Sequence, residues 1–108
     1  MFVLVCLILL SKFYIETVVC ETTSSCSSAT IKGAHTIDAL GPQSLASATI
    51  DTTGVSEITI RFFGYASGDS THIYCRAGTT CNVYCIGSAC TNLIKTIETG
   101  AVWNQHTI

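Results

Sequence analysis

The chain has 108 residues, which is enough for one domain and too few for two. Its five Lys and Arg residues never cluster and its formal net charge is −2, so it lacks the basic surface typical of a nucleic-acid-binding protein. At this length a core buries only about two-thirds of the surface of the unfolded chain, so further stabilisation is expected. The seven cysteines can supply it as disulfides.

The first ten residues, MFVLVCLILL, are apolar without interruption, and Ser11 and Lys12 end the run. A membrane-spanning helix needs about 20 apolar residues, whereas a signal peptide needs a shorter apolar core. We predict a signal peptide over residues 1–20, whose removal leaves no stable membrane span and a secreted or surface-exposed protein. A retained membrane anchor and a buried strand of a cytosolic protein are the alternatives. Residues 21–27 are predicted to be a polar lead-in.

From residue 28 to residue 108 the local pattern is that of β-strands. Val, Ile and Thr make up 35 of the 108 residues, and β-branched side chains favour the pleated backbone. Turn formers such as Gly54, Gly64 and Gly78 separate short alternating runs. No sustained helical period of apolar positions occurs after residue 20. The body of the chain is therefore predicted to be all-β.

A weak internal repeat narrows this prediction to one architecture. The tetrapeptide SATI occurs twice and the strand-like THIY and TNLI continue the series, at residues 28–31, 47–50, 71–74 and 91–94. A second, offset set of apolar positions comprises Ile37, Ile58 or Ile60, Val83 and Val102. Short strands in units of about 20 residues are typical of a parallel β-solenoid, in which each coil buries its inward side chains against its neighbours. We predict such a domain over residues 28–108, with a small β-sandwich as the alternative.

The cysteines are predicted to form disulfides. Removal of residues 1–20 leaves an odd set of candidates, Cys26, Cys75, Cys81, Cys85 and Cys90. Either the cut falls before Cys20, or one thiol stays free or pairs with another chain. Cys81 and Cys85 lie about 13 Å apart along one extended strand, too far for one bond, so we expect each to pair with a neighbouring strand, with Cys75 and Cys90 as candidates. The connectivity stays open, and the even spacing does not favour a zinc site.

The segment STHIYCRAGTTCNVYCIGSACTNLI, residues 70–94, resembles a Cys/Gly-rich repeat in predicted secreted or surface proteins of protists. The residues that carry the resemblance are Cys75, Gly78, Cys81, Val83, Cys85, Gly87 and Cys90. The resemblance implies a β-helix-like array outside the cell, without an assigned activity. It also implies that the chain can be a fragment of a longer array.

No arrangement of polar residues predicts catalysis or a cofactor. The segment 68–72, Gly-Asp-Ser-Thr-His, resembles the nucleophile block of GDS-type esterases, but the chain lacks a βαβ pattern and His72 follows Ser70 too closely in an extended strand to share its proton. A turn before a strand is predicted instead. The remaining titratable candidates are scattered: Asp38, Asp51, Glu57, Asp69, Glu98, His35 and His106.

These features predict a secreted or cell-surface structural or interaction protein that is not an enzyme. The alternative is a carbohydrate-binding or carbohydrate-active β-helix, which needs carboxylates and aromatic rings on one face of the coil. The rings available for such a face are Phe62, Phe63, Tyr65, Tyr74, Tyr84 and Trp103. No partner is specified by the sequence, and the classes considered are a glycan or a surface protein, not nucleic acid.

Overall fold

A computed structural model describes residues 17–108, which form nine β-strands and no helix. The first 16 residues of the predicted signal peptide lie outside the described residues. The strands are β1 (Thr17–Cys20), β2 (Thr30–Lys32), β3 (Thr36–Ala39), β4 (Thr49–Asp51), β5 (Glu57–Phe62), β6 (His72–Cys75), β7 (Thr80–Cys85), β8 (Ile94–Ile97) and β9 (Val102–Thr107).

The strands form two parallel sheets. Sheet A has the order β1-β3-β5-β7-β9 and sheet B the order β2-β4-β6-β8. Because successive strands alternate between the sheets, the chain winds in about four coils of about 22 residues. We call the turn segments that lead from sheet A to sheet B, residues 21–29, 40–48, 63–71 and 86–93, the turn wall. The predicted parallel β-solenoid is confirmed.

The turn wall stacks through backbone hydrogen bonds. Within a layer, the Ser67 N–H donates to the Gly64 carbonyl at 3.0 Å, and between layers the Leu45 N–H donates to the Ser67 carbonyl at 3.0 Å. Six non-glycine residues adopt a left-handed backbone here: Ser24, Ser28, Gln43, Ser47, Ala66 and Ser70. Each such conformation costs of order 1–3 kcal/mol and persists only where the surrounding structure holds it. The repeated turn bonds of every layer provide that support.

The start of the solenoid differs from the predicted boundary at residue 28. Val18 and Cys20 face inward in β1 and are fully buried, and β1 pairs with β3. Residues 21–27, predicted as a polar lead-in, form most of the first layer of the turn wall, where Cys26 is bonded to Cys20. The described solenoid therefore includes the last four residues of the predicted signal peptide.

Inward side chains of neighbouring strands stack in columns. One column in sheet A consists of Val18, Ile37, Ile60 and Val83, and one in sheet B of Ile31, Ile50 and Ile73. All seven side chains are at most 3% exposed. Alternate residues of a strand point to opposite faces, so the intervening side chains face solvent.

The predicted repeat register holds in sheet B only for the two SATI segments, which pair as expected. Ile50 pairs with Ile73 and not with Tyr74. A shift of one residue would exchange the inward and outward faces, and only Ile73 keeps the buried column apolar. Ile94 pairs with His72 instead of Tyr74, so that predicted alignment is also wrong.

In sheet A, Ile60 continues the column from Ile37, as one of the two predicted options. The column ends differently from the prediction, because Gln105 follows Val83 and Val102 lies at an exposed position. The inward positions of β8 and β9 are thus partly polar. Lys95 Nζ lies 5.2 Å from the centre of the Trp103 ring.

Two of the three disulfides occupy the same place in different coils. Cys20–Cys26 joins the end of β1 to the turn wall, and Cys85–Cys90 joins the end of β7 to it. The strand position is occupied along the solenoid by Cys20, Ala39, Phe62 and Cys85. The wall position is that of the residue whose backbone carbonyl accepts the last turn hydrogen bond of its layer. It is occupied by Cys26, Leu45, Gly68 and Cys90.

The two middle coils fill this space with one small and one large residue. Ala39 accompanies Leu45 in the second coil, and Phe62 accompanies Gly68 in the third. A Cβ atom on Gly68 would lie 3.1 Å from two carbons of the Phe62 ring. The same space is therefore filled by a disulfide in the first and fourth coils, by Ala39 and Leu45 in the second coil, and by Phe62 and Gly68 in the third.

Replacing Ala39 and Leu45 together by cysteine should form a fourth disulfide. The loop matches the six-residue separation of Cys20–Cys26, and closing it should contribute about 2 kcal/mol to the free energy of unfolding, offset in part by the lost burial of Leu45. After alkylation without reduction, mass spectrometry should find neither new cysteine of the double variant alkylated. The Ala39→Cys control should carry one alkylated cysteine. Two reactive thiols in the double variant would contradict the equivalence of the coils.

A column of serine hydroxyls lies inside the turn wall. The Oγ atoms of Ser25, Ser44 and Ser67 are buried and have no protein hydrogen-bond partner. Ala89 occupies the equivalent turn position in the fourth layer. Its N–H donates to the Ile86 carbonyl, as the Ser67 N–H donates to the Gly64 carbonyl in the third layer. An unpaired buried hydroxyl costs roughly 1–3 kcal/mol, so the apolar side chain is the more stable solution.

The Ser67→Ala variant should raise the free energy of unfolding by about 1 kcal/mol. For a domain of this size that corresponds to an increase in Tm of roughly 4–8 °C. Thermal unfolding monitored by circular dichroism, with the disulfides intact, measures the change. Ser56→Ala, at an exposed corner, is the control and should shift stability by less than about 0.5 kcal/mol. A lower Tm for Ser67→Ala would show that the hydroxyl has a stabilising partner.

Candidate binding pocket

The cysteines have a structural role. All five predicted candidates lie in disulfides and Cys20 is the sixth member, in the pairs Cys20–Cys26, Cys75–Cys81 and Cys85–Cys90. Cys81 and Cys85 thus bond to the two cysteines named as candidates, but Cys90 lies in the turn wall and not in a neighbouring strand. Within residues 17–108, no group of three or more His, Cys, Asp or Glu side chains is placed to hold a metal ion.

The segment that resembles an esterase nucleophile block is divided between two elements. Ser70 ends the turns of the third wall layer, and His72 is the first residue of β6. His72 Nε2 shares a hydrogen bond with Thr96 Oγ1 at 2.7 Å, and its ring stacks on Tyr74 with centroids 4.0 Å apart. The imidazole is therefore engaged on the outer face of sheet B.

The carboxylates are dispersed over separate faces. Asp38 and Arg61 form a two-pronged ion pair on sheet A, with N–O distances of 2.6 and 2.9 Å. Glu57 accepts a hydrogen bond from Asn82 Nδ2 at 3.1 Å on the same sheet. Asp51, at the end of β4 in sheet B, forms an ion pair with Arg76.

Arg76 links three coils at one corner of the solenoid. Its Nε lies 3.0 Å from Asp51 Oδ1 and its Nη1 3.0 Å from Glu98 Oε2. The guanidinium lies 4.9 Å from the centre of the Tyr74 ring, and Glu98 Oε1 accepts the Ala77 N–H at 2.8 Å. These groups satisfy one another, so the cluster holds neighbouring coils together.

This corner lowers the pKa of both carboxyl groups. The hydrogen bond from Arg76 holds the pKa of Asp51 well below its ordinary value. The Ala77 N–H, followed by Arg76, lowers the pKa of Glu98. A carboxyl group with a depressed folded-state pKa stabilises the fold above its unfolded-state pKa, and that stabilisation is lost as pH falls toward the folded-state value.

Thermal stability should therefore fall as pH is lowered below about 4, because unfolded carboxyl groups then bind protons that folded Asp51 and Glu98 do not. Asp51→Asn should lower Tm at pH 7 by roughly a few degrees and flatten this decrease. Glu57→Gln, which alters an exposed carboxylate outside the corner, is the matched control. If Tm falls equally steeply with decreasing pH in Asp51→Asn and in the unsubstituted protein, the contribution assigned to Asp51 is contradicted.

A small pocket opens on the turn wall between its third and fourth layers. Its volume is about 190 Å³ and it is lined by Tyr65, Ala66, Asp69, Ser88, Thr91 and Asn92. The Tyr65 side chain is 77% exposed. Asn92 Nδ2 donates to Asp69 Oδ1 at 2.7 Å, which joins the two layers. The pocket thus combines an aromatic ring with a carboxylate–amide pair and hydroxyl groups.

The fourth wall layer differs from the third in its length and in the residue that takes the place of Tyr65. The bonded cysteines are six residues apart in the first coil and five apart in the fourth. Phe62 and Gly68, at the same positions of the third coil, keep the longer spacing, and Tyr65 lies between them. In the fourth layer the Ala89 N–H donates to the Ile86 carbonyl, as the Ser67 N–H donates to the Gly64 carbonyl, so Gly87 takes the place of Tyr65. A glycine has no side chain to cover the Tyr65 ring, which is 77% exposed.

The sequence indicated two members of this pocket in separate contexts: Tyr65 as an aromatic candidate and Asp69 as an acidic one. Asn92 was missed, although it lies 23 residues after Asp69, close to one coil length. The correct coil register would have predicted the contact. Tyr74 and Tyr84, in contrast, lie on different sheets and form no common face.

Comparisons with protein-family models, with curated proteins and with solved structures gave no match. The resemblance of residues 70–94 to a Cys/Gly-rich protist repeat stays a prediction. Over residues 17–108, no helix has the length and apolar character needed to cross a membrane.

Proposed function

We propose that this protein is an exported interaction module, a rigid scaffold that contacts another molecule outside the cell. The observation that carries the proposal is that the six cysteines of residues 17–108 are all paired within the chain. Disulfides form and persist in oxidising compartments and are rare in the cytosol. A small solenoid with three such bonds is well suited to an extracellular setting.

The outer faces of the solenoid support a role in binding. Neighbouring strands lie about 4.8 Å apart, so outward side chains form ladders with a fixed spacing. One ladder on sheet A consists of Thr17, Thr36, Thr59, Asn82 and Asn104. Asn104 Nδ2 donates to Asn82 Oδ1 at 3.1 Å, which orders the end of this ladder. A regular polar surface with few charges favours extended contacts, and we assign it no catalytic role.

The proposal places processing of the signal peptide before Thr17. A cut after Cys20 would remove β1 and leave Cys26 without its partner. A cut before Thr17 retains an even number of cysteines, all of which the structure pairs. The apolar run MFVLVCLILL lies wholly upstream of that point.

Expression of the full chain with a C-terminal tag in eukaryotic secretory cells tests the proposal. We expect the tagged protein in the medium, with an N-terminus at or before Thr17 and no thiol alkylated before reduction. Ile8→Arg, which interrupts the apolar run, should keep the protein in the cells and serves as the control. Retention of the unsubstituted chain with reactive thiols would overturn the proposal.

A further inference from the structure

We propose that the pocket beside Tyr65 binds a neutral pyranose ring of a glycan. This inference deepens the proposed function, since it names a partner class for the interaction module. It begins from the uncovered ring of Tyr65, which is 77% exposed, more than the other exposed apolar side chains of the turn wall, Leu40, Phe63 and Ile86. A pyranose has an apolar face of C–H groups, and the face of an aromatic ring is its natural contact.

The opposite side of the pocket supplies polar groups suited to hydroxyls. Asp69 uses Oδ1 to accept from Asn92, and its second oxygen can accept from a ligand. Asn92 contributes an amide oxygen and a second N–H. Thr91 Oγ1 donates to the Ser88 carbonyl at 2.6 Å, so this oxygen can act toward a ligand only as an acceptor. A planar carboxylate beside a planar amide can bind two adjacent hydroxyls of one sugar.

The charge at the pocket selects against anionic ligands. The cationic side chains Lys32, Arg61, Arg76 and Lys95 lie elsewhere on the solenoid and none lines the pocket. Asp69 therefore repels a carboxylate or sulfate and favours hydroxyl donors. The volume of about 190 Å³ is also smaller than that of sites for drug-sized ligands, which occupy about 300–1,000 Å³. One sugar ring is the matching size, with binding in the millimolar range for a single ring.

Nuclear magnetic resonance of the ¹⁵N-labelled, fully oxidised protein tests this site directly. The probes are the methyl glycosides of glucose, galactose, mannose and N-acetylglucosamine, with sialic acid as the anionic comparison. At about 10 mM, at least one neutral glycoside should shift amide signals confined to residues 65–69 and 88–92. Sialic acid should shift the same signals at least about fivefold less at equal concentration.

Two substitutions in the pocket should weaken binding at least about tenfold: Tyr65→Ala, which removes the ring, and Asp69→Asn, which removes the charged acceptor. Tyr84→Ala and Glu57→Gln alter an aromatic ring and a carboxylate on sheet A and should bind as the unsubstituted protein does. Signals distant from the pocket report whether each variant is folded.

No shift with any of the four glycosides, equal binding by both pocket variants, or a preference for sialic acid would overturn the sugar site. Shifts on the outer faces of the sheets would assign binding elsewhere and would also overturn it. Because the purified, oxidised protein is used, these results are independent of the export experiment. Failure of one proposal is therefore distinguishable from failure of the other.

Discussion

Each coil of this solenoid has to place its inward side chains on those of the next coil, because one coil cannot bury them alone. Parallel pairing makes this requirement strict: a shift of one residue would turn the column from Val18 to Val83 toward solvent. Variation in chain length is therefore confined to the corners and the turn wall. The positions of the outward side chains, including Tyr65 and Arg76, follow from that inner alignment. The same alignment determines where two cysteines lie close enough to form a disulfide.

The coil architecture was predictable from the paired SATI segments, because these share both the inward isoleucine and a preceding wall layer of equal length, residues 21–29 and 40–48. The later alignments failed because coil length changes, from 19 residues between Ser27 and its bonded neighbour Ala46 to 23 between Asp38 and Arg61. The first layer of the turn wall was predicted as a lead-in for a different reason. A wall layer needs only small inward residues and polar outward ones, so its composition matches that of a flexible segment, and only the bond to Cys26 distinguishes it.

The pocket was predictable only in parts. Tyr65 and Asp69 have the chemistry expected of a binding site, but their meeting with Asn92 depends on the register of the third and fourth coils. The uncovered ring depends further on Gly87 taking the place of Tyr65 in the fourth wall layer, and this alignment has no signature in composition. The Arg76 corner shows the opposite case. Its charges are concentrated and conspicuous, yet they hydrogen-bond one another and hold the coils together.

Mapping of the disulfides by proteolysis and mass spectrometry, without prior reduction, tests the alignment of the coils most directly. The structure predicts three local bonds, Cys20–Cys26, Cys75–Cys81 and Cys85–Cys90, each joining neighbouring elements of the winding chain. Finding these three pairs in the folded protein would support the inner register from which the pocket and the ladders follow. A bond between distant layers, such as Cys26–Cys90, or a Cys75–Cys85 pair in place of the local ones, would contradict it.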